Sequence, residues 1–184
     1  QVSSNHNNQS MNIDIGIEKR KNILAISLML EGMTSAFLAQ LIGIENHIET
    51  ISFGNKSSSL SFNQKIGLLI DIGALPPEEK SKFQLFMEIR NQFMHNLQAK
   101  TYELCFSFLP GRDKFILKLY PQNGNLSVEE QLEKATMELS DEISRITVNL
   151  IEKVKEKFER DIELDMLKKI FPVLLKTMEK FNKK

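Results

Sequence analysis

The stretch from Ser61 to Asn96, SFNQKIGLLIDIGALPPEEKSKFQLFMEIRNQFMHN, leaves its backbone few choices. Ser61 with Gln64 three positions on is a capping-box pair, in which each side chain satisfies the other residue's backbone N–H and a helix begins. That helix carries Ile66, Leu69 and Ile70 and stops at Gly73, the residue that most readily takes a left-handed helix end. Pro76 and Pro77 then open a second helix, where a missing N–H costs nothing. Glu78 and Glu79 fall in its first turn, against the positive end of the helix dipole. The stretch therefore predicts a helical hairpin.

The second helix carries an unusual pattern. At about 100° per residue, Phe83, Phe86, Ile89, Phe93 and Leu97 form one apolar stripe, and Arg90 falls inside it. Asn91 and His95, four apart, share the other flank with Glu88. An unpaired buried charge is expensive, so a guanidinium on an apolar face must meet a carboxylate, a carbonyl or a phosphate. Two readings follow. Arg90 is an internal clamp on an acidic side chain or on helix-end carbonyls, with His95 in solvent. Alternatively, Arg90 holds an anion, His95 moves a proton near neutral pH and Asn91 orients one of them. Arg90 and His95 lie about 140° apart on an ideal helix, so one helix does not aim both at one atom. A second copy packed across a two-fold axis can, and the expectation is a homodimer.

The words Lys65-Ile66, Gly73-Ala74-Leu75 and Ile89-Arg90-Asn91-Gln92-Phe93-Met94-His95-Asn96 resemble the mannitol-operon repressor family and, more broadly, the HEPN superfamily of helical domains. Met94 stands where that family's motif has Ala. The likeness covers about 35 residues; beyond them only the helical pattern is shared. Many HEPN proteins are metal-independent endoribonucleases that use an Arg and a His at a dimer cleft. The resemblance places those roles on Arg90 and His95, with Asn91 as their polar neighbour. The mannitol-repressor branch is regulatory rather than catalytic.

Charge and composition narrow the partners. Lys plus Arg equals Asp plus Glu at 24 each, so no global field draws in nucleic acid, although a small phosphate site is compatible with that balance. The single Cys105 excludes an internal disulfide and a cysteine zinc cluster. His6, His47 and His95 are far apart, without metal-ligand spacing, and no phosphate loop, dinucleotide fingerprint or nucleophile elbow is present. No cofactor and no metal are expected. The most apolar run, Ile23 to Leu30, is far short of the roughly 20 residues of a membrane span, so a cytoplasmic protein without a membrane partner is expected.

The rest of the chain reads as helices. Residues 1–14 are rich in Asn, Ser and Gln and are expected to be loosely ordered, leaving a single helical domain over 15–184. Ile23, Ile26, Leu30, Met33, Phe37, Leu41 and Ile44 repeat at three and four, and Gly43 marks that helix's end. A polar loop over Ser52–Ser59 follows, with His47 on the surface before it. Thr101 can cap a short helix through Leu109, Pro110-Gly111 breaks it, and Arg112–Tyr120 forms another. A β-hairpin about Pro110–Asp113 is the competing reading of 102–120, and two helices suit the Leu-rich surroundings better. Ser127 with Glu130 opens a long helix through Leu132, Leu139, Ile146 and Val154, and Pro172 should end or kink the last segment near Ile170.

The fold class expected is all-α, a bundle of about five to seven helices. Three functions fit it. The first is a regulatory or interaction protein of the mannitol-repressor type, a dimer that influences transcription through a protein partner. The second is a metal-independent endoribonuclease in which His95 moves the proton of a ribose 2′-hydroxyl and Arg90 steadies the phosphate of bound RNA. The third is a helical scaffold in which Arg90 only ties helices together.

Overall fold

The computed structural model describes the backbone of residues 3–54 and 56–181, and the side chains of 16–54, 56–153, 155–156, 159–160 and 162–172. Six α-helices account for most of it: α1 (Ser3–Leu41), α2 (Phe62–Asp71), α3 (Lys80–His95), α4 (Tyr102–Ser107), α5 (Arg112–Leu119) and α6 (Val128–Phe181). Short 3-10 turns at His47–Glu49 and Pro77–Glu79 precede α2 and α3. No strand occurs among the described residues, so the chain is all-α and residues 102–120 form the two short helices, not a hairpin. The loosely ordered stretch expected over 1–14 falls where no side chain is described; α1's helical backbone is drawn from Ser3.

Local chemistry sets the helix ends. Ser61 N donates to Gln64 Oε1 at 2.8 Å and Gln64 N to Ser61 Oγ at 3.4 Å, the full capping box. Ser127 and Glu130 repeat it before α6, at 2.9 and 3.3 Å. Thr101 Oγ1 accepts from Leu104 N at 3.1 Å and starts α4. Gly43 and Gly73 take φ of 77° and 68° just past α1 and α2, where a side chain would be strained.

The chain divides into two units, residues 1–147 and 148–184. In the first, α1 packs on α2 and α3, and α3 on α4. Its core gathers Ile23, Leu30 and Phe37 of α1, Phe83, Phe86, Ile89 and Phe93 of α3, and Leu132, Leu139 and Ile143 of α6. Buried hydroxyls on α1 (Ser27, Thr34, Ser35) and α6 (Thr136, Ser140, Thr147) each donate to a carbonyl three or four residues back, at 2.7–2.9 Å. They are thereby satisfied without a partner on another helix. The apolar run in α1 is longer than it reads by eye: an 18-residue window within Gly16–Leu41 reaches a mean hydropathy of 1.5, enough by length and composition to cross a membrane. Part of that apolarity goes into the core, where Ile23, Leu30, Phe37, Leu38 and Ala39 are buried, while Ile17, Leu24, Leu28 and Met29 stay exposed.

Three details add to the expectation. The loop over 52–59 is laced by its own bonds: Phe53 is buried, Leu60 N donates to Ser52 O at 2.8 Å, and Ser59 Oγ donates to Ile51 O at 2.9 Å. His47 is half-buried at the start of its 3-10 turn rather than on the surface. Pro172 does not end its helix, since α6 runs through it to Phe181. A proline removes its own N–H bond and crowds the carbonyl four residues back, a cost that a long helix can absorb. The second unit is that distal part of α6 alone.

Candidate functional site

The face of α3 that enters the core contains Phe83, Leu85, Phe86, Ile89 and Phe93. Leu97 does not continue it: α3 ends at His95, and Leu97 is 84% exposed in the turn beyond. Arg90 sits at the edge of this face and is half-buried, as its place in the stripe requires. Its Nη1 donates to Asn91 Oδ1 at 3.0 Å, while its Nε is buried and has no acceptor. No carboxylate lies within ion-pair distance of Arg90 among the described residues. Among the described residues, the internal clamp offered as one reading of Arg90 is therefore not formed.

Asn91 and His95 are both exposed. Arg90 and Asn91 are brought together; His95, the last residue of α3, makes no hydrogen bond to either among the described contacts. The divergence of about 140° expected on one helix is kept, and a single copy does not join guanidinium and imidazole at one atom. Nearby, Glu88 Oε1 accepts from Arg112 Nη2 of α5 at 2.6 Å, so the carboxylate closest to Arg90 in sequence is engaged elsewhere.

The clamp is supplied by another residue. Arg20 of α1 donates through Nη1 to Phe93 O, and through Nη2 to Asn96 O at 2.9 Å and Ala99 O at 3.1 Å. These carbonyls belong to the last turn of α3 and the turn after it, groups that have no partner within the helix. Arg20 thus binds the negative dipole end of α3 and fixes the segment that carries His95. Its neighbours on one stripe of α1 complete the seat. A Cβ placed on Gly16 would make ordinary van der Waals contact with Lys100, 3.4 Å from its Cβ and 3.6 Å from its Cα, so α1 passes close to the turn after α3 here. Lys19 reaches Glu129 and, at 3.3 Å, Glu133 of α6, and lies 4.9 Å above the Tyr102 ring. Ile23, next on the stripe, is fully buried.

Glu129 holds the other end of the turn. Its Oε1 accepts from Tyr102 N at 3.0 Å and its Oε2 from Glu103 N at 2.7 Å, capping α4 from outside the helix. Burial pushes this carboxyl up, but the Lys19 ammonium and the two backbone N–H groups outweigh it and hold it below the usual carboxylate range. Tyr102 is fully buried with its ring edge-on to Phe93 at 5.1 Å. Burial first, then the charges of Glu133 and Glu129, push its phenol well above its ordinary value. Burial and the Glu129 charge push the Cys105 thiol up to about 12, with Arg20 opposing them weakly. Cys105 is a packed hydrophobe whose Sγ faces Ile89 O at 3.8 Å.

A second charged knot joins α3, α5 and α6. Lys82 contacts Glu79 at 2.8 Å and Glu142 at 2.9 Å, and Tyr120 Oη donates to Glu142. Burial raises the Glu142 carboxyl, but the Tyr120 and Lys82 hydrogen bonds prevail and hold it down. Arg20, Lys19 and Glu129 were not candidates from sequence. Arg20's partners are backbone carbonyls 73 to 79 positions away, which carry no residue-type signal. The one legible trace was the spacing Gly16, Lys19, Arg20, Ile23, a single helix face that includes a glycine.

Among the described residues no group of three or more His, Cys, Asp or Glu side chains is placed to hold a metal ion. Compared with family models, with curated proteins and with solved structures, the chain matches none.

Proposed function

We propose that this protein is a helical regulatory or interaction protein of the mannitol-operon-repressor type. On this reading it is a cytoplasmic homodimer that influences transcription through a protein partner and receives an acidic group of that partner at Arg90. The observation that carries the reading is the state of that guanidinium: half-buried, anchored by Asn91 Oδ1, unpaired with any described carboxylate, and with a buried Nε lacking an acceptor. A donor held in that way is completed by an anion from outside the chain. The wording around Ile89–Asn96 supports the family, and the even charge balance suits a protein partner better than RNA.

The test is capture of partners from cell extract by wild-type protein and by Arg90→Ala. A specific partner retained by wild type and lost by Arg90→Ala, with unchanged unfolding, is the expected result. Equal recovery by both proteins would refute the role of Arg90.

The same open guanidinium also favours a second reading, a metal-independent ribonuclease in which Arg90 steadies the phosphate, Asn91 holds Arg90 and His95 moves the proton. Because His95 diverges from Arg90 on one helix, this chemistry needs both residues contributed across two copies. Cleavage of RNA in EDTA, abolished by His95→Ala without loss of thermal stability, would establish it. Wild-type protein inert on varied RNAs would refute it.

A further inference from the structure

The distal part of α6, the whole of the second unit, offers an apolar face with nothing in that unit to cover it. Ile162, Leu164, Met166, Leu167, Ile170 and Phe171 fall within ten residues, and each is exposed, from 47% at Leu164 to 62% at Phe171. A single helix has no core of its own, so such a face calls for another element. At roughly 100 Å² a side chain, the four that lie at or beside one narrow stripe (Leu164, Leu167, Ile170 and Phe171) offer about 400 Å² per copy, about half the ~800 Å² per partner of a standard stable interface.

The pattern selects what covers it. Leu164, Leu167 and Phe171 are spaced three and four apart, the a and d positions of a heptad seam. Leu174, Met178 and Phe181 continue the same spacing in sequence. Taken as one broad surface for lipid, the six residues would surround Glu163, and a bilayer would have to bury that carboxylate. Taken as a narrow seam, Glu163 becomes a g position and Lys168 an e position, which flank the seam on its two sides. Five residues separate them, the offset at which a parallel pair of helices joins g of one chain to e of the other. A second copy therefore returns the opposite charge to both flanks at once. Arg160 and Lys153, both exposed, occupy d positions further back. Like charges facing across the axis end the pairing there and set its start at Leu164.

We propose that residues 164–181 form a parallel two-stranded coil with the same segment of a second copy, flanked by Glu163–Lys168 pairs between chains. This rests on the dimeric reading above and assigns its surface. The seam is short, so the dimer dissociates on dilution. Sedimentation velocity of the full chain over a concentration series tests it. Wild type should pass from monomer to dimer, and Leu167→Glu with Phe171→Glu should remain monomeric with an unchanged urea unfolding curve. Glu163→Lys should weaken association by about tenfold or more, and adding Lys168→Glu should restore it. A dimer indifferent to Leu167→Glu would overturn this interface while leaving a homodimer formed elsewhere. Wild type monomeric at every concentration would overturn the interface and the dimeric reading together. Failure of the double charge swap to restore association, or partition of monomers onto anionic vesicles, would also overturn it.

Discussion

Replacing Arg20 with Met keeps the aliphatic stem that packs on α1 and removes only the guanidinium. The carbonyls of Phe93 and Ala99 then lose the Arg20 donor at the end of α3, and that of Asn96 keeps only Ala99 N at 3.1 Å. A hydrogen bond from a charged donor contributes about 1.5–3 kcal/mol net, but two nitrogens serve three acceptors and water can reach part of this half-buried site. The expected cost is about 2–4 kcal/mol, which for a packed unit of this size lowers Tm by about 5–12 °C. Urea unfolding followed by circular dichroism measures it, with m unchanged if the native state stays compact. Arg90→Ala is the paired control. Its guanidinium bonds only to the neighbouring Asn91, so its loss should cost less than about 1 kcal/mol. If Arg90→Ala destabilises by the 3–5 kcal/mol of a broken buried pair while Arg20→Met is silent, the assignment of the clamp to Arg20 is refuted.

Three further outcomes are expected. Glu129 and Glu142 have folded values below the usual carboxylate range, so their contribution is full above that range and is lost as pH falls through the folded values. The urea midpoint should therefore drop below about pH 4.5, and Glu129→Gln should flatten that acid limb; an unaltered limb would show Glu129 to be uncoupled from folding. Cys105, buried and pushed up to about 12, should react with a thiol reagent only at the rate of unfolding, and rapid labelling of native protein would contradict its packing. Lys65 is 1% exposed and meets Glu31 at 3.1 Å, so Glu31→Ala should cost about 2–3 kcal/mol by stranding a buried ammonium, whereas Glu31→Ala with Lys65→Met should recover most of it.

How far the sequence carries depends on how far its signals reach. The hairpin of α2 and α3 was legible because its determinants are local: a capping box spans three residues, Gly73 needs only its own φ, and two prolines need only a first turn. The same locality made α4 and α5 legible through Thr101 and the Pro110-Gly111 break. Of the two outcomes the sequence allowed at Pro172, ending the helix is excluded, because the local rule states a cost, not a prohibition, and a 54-residue helix absorbs one missing bond. Lys65 hid for the opposite reason. A lysine in an amphipathic pattern reads as surface, and only Glu31, 34 positions earlier, makes its burial tolerable.

The site was half legible on the same grounds. Arg90 on the greasy edge of α3 is a local fact, and the structure keeps it half-buried. Which carboxylate or carbonyl would meet it was not legible, and among the described residues its one hydrogen-bond partner is the neighbouring Asn91. Four carboxylates of the bundle are engaged elsewhere: Glu88 to Arg112 through Oε1, with its buried Oε2 left without a partner, Glu129 and Glu133 to Lys19, and Glu142 to Lys82 and Tyr120. Each of those pairs holds a helix end or a helix crossing, so recruiting one to Arg90 would unfasten the bundle. On the proposed reading, Arg90 is a cation kept for an acceptor from outside the chain. Arg20 holds the end of the helix that carries Arg90 and Asn91 holds its guanidinium, so on the proposed reading an incoming anion would meet a partly ordered donor. A pre-set donor spends little binding energy on ordering, which is the physical reason to seek this protein's partner at the Arg90 corner of α3.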